Sequence, residues 1–204
     1  MTVVTAKRFI LAEYHRLGEL GFFEPHDRVE LIRGEIVLLP KTTPLHSDCN
    51  ANLLDSLVRL LGERAIVLGQ KPIILRDDSE PQPDAVVARN RADNYLCSGP
   101  EPADILLLVE IADATLSYDR GKKISVYAED GILDYWIFNL VDNCLEIYND
   151  PYQDSRGRFG YRLKRIVLPN ETVGILGFPE FSLDLSSIFP VQADVRSGEC
   201  STGA

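Results

Sequence analysis

The sequence predicts a mixed α/β (α+β) protein, a β-sheet core flanked by helices. Three observations lead there. Short β-prone runs alternate with stretches whose apolar residues recur at helical spacing. Residues 105–111 (Ile-Leu-Leu-Leu-Val-Glu-Ile) are almost continuously apolar, as in a strand buried on both faces in the middle of a sheet. The chain has 204 residues, 45% hydrophobic and 25% charged, enough for a core without disulfide or metal staples.

Taken in order, a first helix is expected from a cap at Thr5 to about Leu20, with Phe9, Ile10, Tyr14 and Leu17 on one face and Gly21 as its stop. Residues 29–39 read as a β-hairpin turning at Arg33-Gly34, since glycine accepts the positive φ of a tight turn. Residues 45–61 place Leu53, Leu54, Leu57, Leu60 and Leu61 along one side of a helix that Gly62 closes. Residues 65–68 and 72–75 read as two strands, residues 76–83 as turn chemistry, and residues 84–88 as a further strand. After the apolar run comes a polar loop, then a helix over residues 119–130 with Asp119 as a cap and Gly131 as its end. Residues 134–139, 144–148 and 161–168 complete the strands. One domain is expected over residues 1–190. Residues 191–204, polar and rich in small side chains, are expected to be a flexible tail.

Charge and cysteines narrow the function. Asp and Glu number 31 against 21 Lys and Arg, a net charge of −10. A chain so acidic lacks the bulk electrostatic footprint of a protein that coats nucleic acid or anionic membrane. Binding to DNA would rest on a local patch, best represented by Arg156, Arg158, Arg162, Lys164 and Arg165. No apolar run approaches the ~18 residues of a membrane span, and no signal peptide is evident. Cys49, Cys97, Cys144 and Cys200 are scattered, without zinc-ligand spacing, and read as free thiols of a cytoplasmic protein.

Chemistry gathers at three places: Pro83-Asp84 opening a strand, Glu110 near the end of the most apolar strand, and Lys123 beside Lys122 early in a helix. If the two strands pair, both carboxylates emerge at one sheet edge. A carboxylate in so apolar a setting costs several kcal/mol unless something offsets its charge. A divalent cation offsets two at once, and carboxylates with waters suit Mg²⁺. With a lysine nearby to hold water and stabilise negative charge, the logic is phosphodiester hydrolysis.

Five segments carry a resemblance: residues 29–35, Pro83-Asp84-Ala85-Val86-Val87, residues 107–111, Tyr118-Asp119-Arg120-Gly121-Lys122-Lys123, and residues 127–136. In this order the sequence resembles the PD-(D/E)XK nuclease superfamily. More narrowly, it resembles the family of small stand-alone bacterial proteins described as "putative restriction endonuclease". The resemblance spans about residues 5–185. It implies a restriction-endonuclease-like core and Mg²⁺-dependent cleavage of DNA, with Mn²⁺ as a substitute ion. Asp84 and Glu110 match the metal-binding acids. The superfamily's lysine, two residues after the glutamate, would fall at Ala112. In the narrower family it moves to the following helix, which points to Lys123, with Lys122 as competitor. Glu30 or Glu35, of which Glu30 is preferred, matches an additional acid before the Pro-Asp strand. A homodimer is the arrangement expected by analogy for cutting two strands.

Each residue has a plainer role to set beside this. Asp84 could be a turn residue, and Glu110 a salt-bridge partner of Arg120 or Lys122. Lys123, Glu30 and Glu35 could be solvated, and His46 a helix cap or surface residue rather than a phosphate contact or an outer group of the site. Tyr127, Tyr135 and Trp136 read as core packing. His15 and His26 carry no functional expectation. Two other functions compete: a catalytically inactive nuclease fold serving as a binding or interaction module, motivated by Ala112, and a glycosidase acid/base pair at Asp84 and Glu110, which lacks an aromatic sugar platform.

Overall fold

The apolar run forms strand β5 (Ile105–Ala112), buried at every position but one. A computed structural model of the chain describes residues 5–190; the expected tail over residues 191–204 lies outside the described residues. Around β5 stands a six-stranded mixed sheet in the order β3-β4-β5-β6-β7-β8. Its other strands are β3 (Ile66–Gly69), β4 (Ala85–Ala88), β6 (Asp134–Asn139), β7 (Cys144–Gln153) and β8 (Phe159–Val167). β5 pairs antiparallel with β4 and parallel with β6. The parallel pair requires a crossover. It is supplied by α3 (Leu116–Tyr118), a π-helical turn at Asp119–Lys123, and α4 (Ile124–Glu129).

The helices cover opposite faces, which is why β5 is apolar on both. Helix α2 (Pro44–Leu61) buries Cys49, Leu53, Leu57 and Leu61 against Val87, Leu107, Val109 and Trp136. Each such leucine contributes roughly 1.5–3 kcal/mol of burial. Thr43 caps this helix, its hydroxyl accepting the His46 N–H, with Pro44 in the first turn. On the other face, Val126 and Tyr127 pack on Val86, Leu108, Tyr135 and Ile137.

The predicted hairpin is β1 (Arg28–Ile32) and β2 (Glu35–Leu39), with Arg33 at φ 50° and Gly34 at φ 73° in its turn. It stands outside the main sheet and joins the α4 face through Ile32.

Three expectations are corrected. The first helix, α1 (Leu11–Glu19), begins six residues after Thr5, which does not cap it. The preceding backbone is used elsewhere: Phe9 N–H donates to Gly34 O and Leu11 N–H to Asp77 O. Residues 72–75 form no strand. Ile73, Ile74 and Leu75 donate instead to loop carbonyls of Pro81, Pro100 and Ser79. The crossover helix starts at Leu116 rather than Asp119, so Asp119 lies inside a helical turn and is not its cap. The sequence reading also missed a terminal hairpin, β9 (Thr172–Ile175) and β10 (Phe178–Asp184). Its inward residues Val173, Ile175 and Leu183 are buried, but Gly174 and Pro179 obscure the strand pattern.

Candidate metal and phosphate centre

Antiparallel pairing sets Ala85 opposite Val109, so Asp84 stands beside the end of β5 where Glu110 emerges. Asp84 is 2% exposed and Glu110 is 4% exposed. Both line one narrow cleft with His46, Asp119, Lys123, Arg28 and Lys41. Free space in the cleft and its mouth is about 310 Å³.

Asp84 is held from three sides. Its Oδ2 accepts the main-chain N–H of Ile111 at 2.8 Å and lies 3.1 Å from His46 Nε2. Gln70 Nε2 reaches Oδ1 at 3.5 Å, with Arg28 at 4.0 Å. Burial by itself would raise this acid's pKa. The His46 hydrogen bond and charge, and the Ile111 N–H, outweigh burial and hold it below the usual carboxylate value. An ionised carboxylate only accepts, so the His46 Nε2 carries a proton. Buried His46 Nδ1 has no partner among the described residues.

Glu110 differs. Its Oε1 accepts from Lys123 Nζ at 2.8 Å and from the Tyr127 hydroxyl at 2.6 Å. Burial raises its pKa well above the ordinary value, against the pull of Lys123. No hydrogen bond among the described residues reaches Oε2, although Glu110 lines the cleft.

Lys123 is 2% exposed. A bare ammonium so buried would lose its proton, but three acids surround it: Glu110, Glu30 at 3.0 Å and Asp119 at 3.9 Å. Despite burial, their charges keep its pKa well above the usual lysine value. Glu30 is fixed by the Gln82 N–H at 2.8 Å, and its buried Oε2 has no partner among the described residues. Burial pushes Asp119 up to about 6, against Lys123 and the Thr115 hydroxyl.

The sequence-predicted residues thus divide. Asp84, Glu110, Lys123, Glu30 and His46 converge. Glu35 and Lys122 pair with each other at the flank, and Arg8 also reaches Glu35. Glu110 pairs with Lys123, not with Arg120 or Lys122. Two contributors were missed. Tyr127, read as core packing, bonds Glu110, and Asp119 joins the cleft. Both sit four residues from Lys123, a helical spacing that could have flagged them. In the basic cluster, Arg158 pairs with Asp154, Arg162 with Asp150 and Lys164 with Glu146, which reduces its free charge.

Three buried acids, Glu30, Glu110 and Asp119, share one buried lysine, and a fourth, Asp84, lies against His46. Among the described residues no three His, Cys, Asp or Glu side chains are arranged to hold a metal by themselves. Mg²⁺ commonly takes only one or two carboxylates and keeps waters or substrate oxygens as its other ligands. The clustered acids and the unbonded Glu110 Oε2 fit such an ion.

A family model described as "putative restriction endonuclease" matches residues 11–186, and the chain belongs to that family. Among solved structures, the chain is similar to a protein from Anabaena variabilis described as a putative nuclease belonging to DUF820. They share 16% identity at a TM-score of 0.64, over 89% of this chain and 97% of the other. That likeness shows a shared fold. The type IIG restriction endonuclease BpuSI matches over 56% of this chain and 12% of its own, at 16% identity and a TM-score of 0.35, too low to support an argument. No curated protein matches the sequence. Among the described residues, no helix is long and apolar enough to cross a membrane.

Proposed function

We propose that the protein is a Mg²⁺-dependent endonuclease hydrolysing DNA phosphodiester bonds, with Mn²⁺ as a substitute ion. Asp84 and Glu110 would hold the ion and Lys123 would supply the ammonium. The observation that carries this reading is the opening of two buried carboxylates from adjacent strands into one cleft, beside a single buried lysine. When bound, the ion would lower the pKa of a water and neutralise phosphate charge.

The chain's own residues have separable tasks. The Ile111 N–H and His46 orient Asp84. Tyr127 and Lys123 take one oxygen of Glu110 and leave the other without a hydrogen bond among the described residues. Glu30 and Asp119 keep Lys123 charged, so its ammonium can hold a water and stabilise negative charge developing on phosphate. Arg28 and Lys41, at the cleft, offset the acids' repulsion of an approaching anion.

The test is plasmid cleavage with Mg²⁺, repeated with Asp84→Ala and Glu110→Ala. Cleavage by the wild type that both variants lose supports the reading. Equal cleavage by all three would mark a contaminant. A folded wild type that neither cleaves nor takes up Mg²⁺ or Mn²⁺ at millimolar concentration would favour the binding-module alternative.

A further inference from the structure

Glu110 on β5 is paired with Ile137 on β6, and Ile137 with Glu146 on β7. Residues paired across neighbouring strands share a face of the sheet. Glu110 and Glu146 therefore stand on the same face, two strand spacings apart, about 10 Å. The turn Asp119–Lys123 crosses this face and binds both. Lys123 takes Glu110. Three residues earlier, Arg120 Nε lies 3.0 and 3.1 Å from the two Glu146 oxygens, and its Nη2 also reaches Oε1.

Glu146 is fully buried, a costly place for a carboxylate with no part in a core. It is also rigidly held: the Tyr148 hydroxyl at 2.6 Å, Asn139 Nδ2 at 3.0 Å and Lys164 Nζ at 2.9 Å all reach it. Arg120 extends further to Asp142 at 3.1 Å. The cleft's residues make no use of this cluster.

We propose that Glu146 and Arg120 are positioning residues for Lys123. This rests on the nuclease reading of the cleft. Lysine is a point charge on a flexible stem, whereas a forked arginine–carboxylate pair fixes direction. Lys123 has three acids within reach, and the placement of its backbone decides which it favours. Arg120, anchored two strands away, sets the height and rotation of the wide turn over the sheet. Lys123 thereby reaches Glu110 at 2.8 Å and leaves Asp119 at 3.9 Å. π-Helical turns are rare and frequent at functional sites; here the turn bears the ammonium at one end and its anchor near the other.

The experiment compares wild type, Arg120→Gln, Arg120→Lys, Glu146→Gln, the Arg120→Gln/Glu146→Gln pair and Tyr148→Phe. Melting temperature, kcat and KM for Mg²⁺-dependent plasmid cleavage, Mg²⁺-induced stabilisation and hydrogen exchange over residues 116–125 are measured. Arg120→Gln and Glu146→Gln should each lower kcat about tenfold or more, since small misplacements of a reacting group are costly. KM and the Mg²⁺-induced shift should hold, and exchange over residues 116–125 should quicken. The pair should be no worse than either single variant, and Arg120→Lys should recover part of kcat. Tyr148→Phe removes a Glu146 hydrogen bond but spares the Arg120 fork. It should lower melting temperature while keeping kcat within about twofold. The inference is overturned if the single variants keep wild-type kcat and exchange, or if Tyr148→Phe loses kcat in proportion to its stability. If wild type itself does not cleave, the nuclease reading fails separately, and the exchange rates still decide whether Arg120 and Glu146 hold the turn.

Discussion

The main-chain N–H of Ile111 donates to Asp84 Oδ2 at 2.8 Å, tying the first residue before β4 to the end of β5. This bond orients one acid with the backbone that presents the other, because Glu110 immediately precedes Ile111. The two carboxylates therefore share a frame built from the most buried part of the sheet.

Mg²⁺ should stabilise the protein. At one hundred times its dissociation constant, an ion bound only by the folded state contributes about 2.7 kcal/mol. For a chain of this size that raises the melting temperature by roughly 5–10 °C. Asp84→Asn should abolish the rise. A wild-type melting curve unmoved by saturating Mg²⁺ and Mn²⁺ would count against the proposed ion site.

Lys123→Met should be strongly destabilising. The substitution nearly keeps the side chain's length but leaves Glu30, Glu110 and Asp119 without their cation, a loss of about 3–5 kcal/mol at pH 7. The loss should shrink at pH 5, where Asp119, pushed by burial to about 6, takes up a proton. Denaturant midpoints at the two pH values provide the comparison. An equal loss at both would mean that charge is not the cause.

Glu146 should make the fold acid-sensitive. Burial would raise its pKa, but hydrogen bonds from Arg120, Tyr148, Lys164 and Asn139 overcome this and depress it to about 2 from 4.5. A depressed carboxylate stabilises the fold above its unfolded pKa. The contribution is lost as pH falls from about 4.5 toward about 2. Allowing for solvent around the half-exposed Arg120 and Lys164, it amounts to roughly 1–2 kcal/mol. Glu146→Gln should flatten the stability curve across this window, which urea denaturation between pH 2 and pH 6 can read.

Gly34→Ala should loosen the site from a distance. Gly34 has φ 73°, and an added Cβ would lie 2.8 Å from Arg8 Cβ and 3.0 Å from Phe9 O. The left-handed backbone and the clash together should cost about 1–3 kcal/mol. Because Glu30 and Glu35 ride on this hairpin, hydrogen exchange should quicken in β1 and at the Lys122–Lys123 turn. Unchanged exchange there would mean that the hairpin does not brace the turn.

Strands β4 and β5 were legible because their patterns are local. Pro83-Asp84 opens four buried residues, and the apolar run of β5 carries one charge near its end. The α2 face was equally plain from its leucine spacing. Lys123 was reached through resemblance, since the position two residues after Glu110 is Ala112. Tyr127 was hidden because an aromatic on an apolar helix face looks the same whether its hydroxyl is idle or bonded to an acid. Glu146 was hidden because alternation in β7 marks a face without saying which helix covers it. Residues 72–75 misled because β-branched apolar residues also pack well as extended chain bonded to loops.

By itself, the sequence marked most of the strands and helices, and singled out Asp84 and Glu110 as charges set beside apolar strand residues. These follow from periodicity, turn residues and the cost of charge in apolar runs, all properties of neighbours along the chain. Only the tertiary structure decided that Glu30, His46, Asp119 and Tyr127 join that group, and that Lys122 and Glu35 stand aside. Those assignments depend on strand order, on the crossing of a wide helical turn over the sheet, and on which buried charges must share one ammonium. Apart from the four-residue spacing that links Asp119 and Tyr127 to Lys123, they are set by packing between residues far apart in sequence.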